Sequence, residues 1–197
     1  MTEATGARMS ATETATHFLI DPGLSRFTAR VFASGMLSSF GHNPTIAIRE
    51  YTGEAVMISS ANLQQASLRI SIPAGSLEVA DDISQKDRAE IESRMRQDVL
   101  ETSAYPEIVF ESSQVTSNAL SENLYAVQVT GNLTLHGVIR AETITAKVTL
   151  IGDTLRASGE FSIQQTNYGI KLVSVAAGTL KVKDEVKIAF DFSARKQ

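Results

Sequence analysis

The chain contains no cysteine. Disulfides, thiolate metal sites, iron–sulfur clusters and cysteine nucleophiles are thereby excluded. No five basic residues cluster, and the net charge is -4. Nothing therefore points to nucleic acid, whose binders carry a basic surplus, or to a basic membrane-surface patch. No window approaches the roughly 20 apolar residues of a spanning helix. The opening segment lacks the basic start and apolar stretch of a secretory signal. As given, the chain is expected to be cytoplasmic; a periplasmic protein whose signal had been removed would read the same.

Catalytic signatures are missing too. There is no G-x-S-x-G elbow, and no G-x-G-x-x-G, Walker loop or HExxH pair. The histidines, His17, His42 and His136, are too far apart to form a local metal motif. Asp81 and Asp82 stand beside a helix start, where capping or solvation explains them. The chain is expected to be no enzyme, to need no cofactor and to hold no metal.

What the chain does have is alternation. At 197 residues it suits a single domain over 16–197, preceded by a disordered tail over 1–15 rich in Thr, Ala, Glu, Ser and Gly. Phe27, Ala29 and Val31 share one face while Arg26, Thr28 and Arg30 share the other. The device recurs at Leu68, Ile70 and Ile72, and along Tyr125 to Leu135. It recurs again along Ile144 to Leu150, Leu155 to Ile163 and Val186 to Phe192. Period-two patterning of this kind specifies strands with one oily and one wet face. Gly152-Asp153 and His136-Gly137 supply hairpin turns. About eight such strands joined by short turns, with little helix, predict an all-β sandwich or closed antiparallel barrel. Small residues in the oily rows (Ala29, Gly131, Ala146, Ala157, Gly159) suit bending strands, a wall left unfilled, or tight packing.

One segment departs from this period. From Ser84 to Leu100 the chain is charged, free of Gly and Pro, and carries Ile91, Met95 and Val99 at four-residue spacing. This predicts a helical insertion over about 84–100, started at Ser84 with Asp87 in its first turn and lying across one barrel end. Gly41-His42-Asn43-Pro44 is the most unusual polar cluster. It reads as a turn, or as a pair of hydrogen-bonding groups, His42 and Asn43, at a barrel mouth.

Several stretches in order resemble the YceI-like family of lipid-binding proteins. They are Phe18-Leu19-Ile20-Asp21-Pro22, Lys86-Asp87-Arg88, Tyr105-Pro106-Glu107-Ile108-Val109-Phe110, Val129 to Val138, Asn167-Tyr168-Gly169-Ile170 and Lys183 to Ile188. The resemblance implies an extended eight-stranded antiparallel lipocalin-like β-barrel whose tunnel holds a polyisoprenoid or similar long-chain amphiphile. It also implies a homodimer. Two departures stand out: Gln164-Gln165-Thr166 replaces the family's arginine, and Ala29 and Ala33 stand where an aromatic and a histidine are common. Both argue for a ligand that is neutral or differently shaped from an anionic pyrophosphate.

On this reading Phe27, Ala29, Val31, Val127, Val129, Leu133, Leu135, Phe161 and Ile163 line the tunnel, with Tyr168 nearer a mouth. His42, Asn43 and Arg88 form the rim. Two other expectations remain: a filled barrel acting as a protein-interaction or stress-response module, and a metal or haem protein using His42 with His136 or His17.

Overall fold

The structure, a computed structural model, describes residues 15–34, 43–58, 63–175 and 180–197. All but one residue of the expected tail, and His42, lie outside the described residues.

Strands dominate: β1 (Thr16–Ile20), β2 (Arg26–Ser34), β3 (Thr45–Ile48), β4 (Thr52–Met57), β5 (Ser67–Pro73) and β6 (Leu77–Val79) form the first half. After the helix α1 (Gln85–Arg94) come β7 (Glu107–Ser121), β8 (Leu124–Leu135), β9 (Val138–Ile151), β10 (Thr154–Gln164), β11 (Ser174–Val175) and β12 (Leu180–Lys196). The order β1-β4-β5-β7-β8-β9-β10-β12 returns to β1, so eight antiparallel strands close into a barrel. Closure leaves no free edge along this ring.

The first three staves of the barrel are each broken once, at the same level. β1 and β2 pair with β12 along one edge, as two pieces of one stave. β3 and β4 form the next stave and β5 and β6 the third, paired β2–β3, β1–β4, β3–β6 and β4–β5. The first break has a visible cause. Pro22 cannot donate to a ladder, and Asp21 Oδ1 accepts from the Gly23 N–H at 2.9 Å, which turns the chain. Ser25 Oγ donates to the Asp21 carbonyl at 2.6 Å and accepts from the Ser193 N–H at 2.9 Å, so the interrupted stave stays tied to β12.

Register keeps every alternating row whole. Phe27 faces Phe190, Ala29 faces Ile188 and Val31 faces Val186 across β2 and β12; Val127 faces Ala146 across β8 and β9. A slip of one residue would turn any of these rows out to water. The small residues of the rows divide into two kinds. A Cβ on Gly131 would lie 2.3 Å from the Glu111 carbonyl oxygen, and one on Gly159 2.4 Å from that of Thr145. Both glycines are therefore close-approach points between backbones. Ala146 and Ala157, in contrast, border empty space.

The helix does a specific job. Ser84 caps it, its Oγ accepting from the Asp87 N–H at 3.1 Å. Its end widens into a π-turn over Met95–Val99, and Ile91, Met95 and Val99 pack against the core. β6 has β3 on one side and no strand on the other, because β7 starts opposite Pro73. Side chains of the helix occupy that vacant edge. Arg88 donates to the carbonyls of Val79 and Asp81, and Glu92 accepts from the Val79 N–H at 3.0 Å. Arg96 reaches Glu92 at 3.2 Å and the Gly75 carbonyl at 3.1 Å. The insertion thus stands in for a missing strand partner.

Candidate functional site

Inside the barrel the two halves differ. The half nearest α1, the His136-Gly137 turn and the 165–170 segment is filled. Ile46, Ile48, Leu77, Val79, Leu135, Ile163, Tyr168, Ile170 and Val186 are all buried there. The half nearest the 122–123 and 152–153 turns holds a cavity of about 150 Å³ with a wholly apolar wall. Ile20, Met57, Ile70, Val115, Val148 and Leu155 belong to that wall, and the short turn Leu63–Gln65 adds Leu63 to it. Apolar cavities of roughly this size stay dry and admit a benzene-sized guest. A longer guest has to displace side chains from a close-packed lining.

Of the ten residues expected to line a tunnel, Phe27, Val127, Val129, Leu133 and Phe161 border the cavity. Leu135, Ile163 and Tyr168 are buried in the filled half, and Ala29 and Val31 pack against its core. Alternation identifies the inward face and carries no information about which level of that face is hollow. Phe190 and Phe192 were legible in the same alternating rows, and their stacked rings, 5.1 Å apart, form part of the wall.

Behind that wall stands Tyr51, which no periodic signal marks, because it lies in the break between β3 and β4. Its ring meets Phe27 edge-on at 5.6 Å and Phe192 at 5.7 Å. Its hydroxyl is buried and makes no hydrogen bond of good geometry among the described residues. Burial raises its pKa above the ordinary value; Ser25 works against this and the Asp21 carboxylate adds to it.

Tyr168 is fully buried, and its hydroxyl donates to Glu142 Oε1 at 2.6 Å. Its pKa is pushed far up, first by burial, then by the bond to Glu142 and that carboxylate's charge, with Arg140 opposing. The backbone around it is pinned from two sides. Thr166 donates through both N–H and hydroxyl to Asp184, at 2.8 and 2.6 Å, and Gln165 Nε2 donates to the Lys183 carbonyl at 2.9 Å. The hydroxyl and N–H of Thr166 hold the Asp184 carboxyl below its usual pKa.

Arg88 is committed to the main chain of Val79 and Asp81. Asn43 is exposed beside Pro44, whose carbonyl accepts from the Val31 N–H at 3.0 Å. His17, on β1, lies 2.6 Å from Glu54 at one end of the barrel, and His136 lies at the other, so these two share no site. His136 Nδ1 donates to the Tyr168 carbonyl at 3.2 Å. In the neutral ring that leaves Nε2 an acceptor, facing Glu101 Oε2 at 3.4 Å with no hydrogen bond. Among the described residues no three His, Asp or Glu side chains gather to hold a metal. No helix of the described residues is long and apolar enough to cross a membrane.

A closed eight-stranded antiparallel barrel around a dry, oily cavity is the architecture of proteins that enclose a small apolar molecule. The sequence matches the YceI-like domain over residues 18–194, and the chain belongs to that family. Among solved structures it is similar to BcnA of Burkholderia cenocepacia, with a TM-score of 0.67 and 20% identity over 88% of this chain and 98% of that one. A polyisoprenoid binding domain from Saccharophagus degradans gives 0.63 and 15% identity over 91% and 98%. The YceI protein of Campylobacter jejuni gives 0.59 and 14% over 79% and 86%. These likenesses are ones of fold. No protein of curated function matches the sequence at significance.

Proposed function

We propose that this protein binds a long-chain apolar amphiphile inside the barrel and carries or stores it without chemical change. The observation that carries this reading is the cavity. A barrel of this family leaves space bordered by Phe27, Ala146, Ala157, Leu133 and Phe161, with no polar surface in its wall. Burying each methylene of a guest is favourable by about 0.8 kcal/mol before ordering costs. An oily tube therefore gains affinity with chain length and needs no reactive groups.

The resting volume fits only part of such a chain. Occupancy then requires side chains of the wall, Phe27, Phe190 and Phe192 among them, to shift. The similar domain from Saccharophagus degradans, described as polyisoprenoid binding, supports a polyisoprenoid or comparable chain as the guest.

Organic extraction of the purified protein followed by mass spectrometry tests this. A long-chain amphiphile in stoichiometric amount is the expected result, together with uptake of the fluorescent probe N-phenyl-1-naphthylamine. A protein that releases no such molecule and takes up no probe is not a carrier.

A further inference from the structure

One seam of the barrel wall is short for the long strands it joins. β8 and β9 pair over twelve residues and β10 and β12 over eleven, but β9 and β10 pair over five, from Ile151 opposite Thr154 to Lys147 opposite Ser158. Beyond Lys147 and Ser158 no ladder joins the two strands, although their backbones still touch where Gly159 meets the Thr145 carbonyl. Ile144 on one side of this seam and Phe161 on the other both border the cavity. The inward row of β9 changes character at the same place. Leu150, Val148, Ala146 and Ile144 are followed by Glu142, the next residue on that face.

Glu142 is held by the fully buried Tyr168, whose hydroxyl occupies Oε1 at 2.6 Å. Among the described residues Oε2 accepts no hydrogen bond. Arg140, the next residue after Glu142 on that face, is the nearby cation; it is exposed and donates to the Asn167 carbonyl at 3.5 Å. Gln164-Gln165-Thr166, leading into Tyr168, adds no positive charge. A carboxylate with a vacant acceptor oxygen thus stands just beyond the cavity's lining, the next residue along the inward row of β9 after Ile144.

Resting on the function proposed above, we propose that the polar end of the guest lodges at this seam against Glu142, with its chain running up into the cavity. The carboxylate selects long-chain molecules that end in an uncharged or cationic hydrogen-bond donor, an alcohol or an amine. An anionic end would sit beside a like charge in a medium of low dielectric, where repulsion is strong. Rejection of one class by a fixed charge is a common source of specificity.

Displacement of N-phenyl-1-naphthylamine from the delipidated full chain by oleyl alcohol, oleylamine and oleate at pH 8 tests the assignment. The alcohol and the amine are expected to displace the probe at concentrations at least tenfold below oleate. Glu142→Gln, which keeps an acceptor for Tyr168, is expected to improve oleate at least fivefold and leave the alcohol within threefold. Circular dichroism checks that this variant folds. Oleate binding as well as the alcohol, or a Glu142→Gln ratio equal to wild type, overturns the proposal while leaving the carrier function intact. A preference for oleate that disappears in Arg140→Gln also overturns it, because that cation would then hold the polar end. Failure of the wild type to take up the probe at all defeats both readings.

Discussion

The ring of Tyr105 lies against the ring of His136, their centroids 4.3 Å apart and their planes inclined by 52°. Residues 31 positions apart meet because the helix and its π-turn bring the chain back to the barrel just where β8 turns into β9. His136 and Gly137 both adopt positive φ, 51° and 72°, and a Cβ on Gly137 would come within 2.6 Å of the Tyr105 ring. Tyr105→Ala is expected to destabilise the fold by about 2 kcal/mol, below the range for a fully buried ring. Urea unfolding followed by circular dichroism measures it, and a loss under about 0.5 kcal/mol, typical of an exposed surface site, would contradict the packing role.

Arg88→Met and Glu92→Leu each expose a polar group of β6 that the helix now satisfies. An unpaired group at such an edge costs about 1–3 kcal/mol. Each variant is expected to lower Tm, and the double variant to lose less than the sum, because both act on the same short strand. Equal and additive small losses would mean that the edge contacts are incidental.

Filling and enlarging the cavity should act oppositely on binding. Ala157→Leu places bulk in empty space and is expected to abolish N-phenyl-1-naphthylamine fluorescence while changing stability by under about 1.5 kcal/mol. Leu133→Ala enlarges the same space at a cost of about 3 kcal/mol and should retain the probe. The corresponding substitution Ala29→Trp is expected to unfold the protein, since Ala29 packs against the filled half. Probe binding that survives Ala157→Leu would place the guest elsewhere.

Tyr51 and Tyr168 both have pKa values raised above the ordinary 10.0. The unfolded chain therefore loses these protons before the folded one does. Their contribution to stability is complete below pH 10, and it declines as pH rises from there through the folded-state values. Stability should fall on the alkaline side, and Tyr168→Phe should flatten that fall. Unfolding free energies measured from pH 8 to 11.5 check the sign: an unchanged slope in Tyr168→Phe removes this residue from the account.

Two kinds of information were unequally legible. The eight staves, their inward faces and the capped insertion follow from alternation and from Ser84 with Asp87, because strand and helix periods are local properties of sequence. The three breaks are harder to see. Asp21-Pro22 announces the first, whereas nothing around Glu50 or Gly75 distinguishes a kink from a hairpin. Arg88 illustrates the limit: a cation at the start of a helix near a barrel mouth looks available, and only the fold shows it spent on β6.

The amino-acid order alone settled which side of the six alternating strands faces inward, since a side chain's face is fixed by counting along the backbone. It could not settle where that interior is packed and where it is empty. That depends on how β7 and β12 bulge, how closely Gly131 and Gly159 let neighbouring backbones approach, and which residues meet across the barrel from opposite walls. Void volume is a property of many side chains converging in space, and only the folded barrel brings them together.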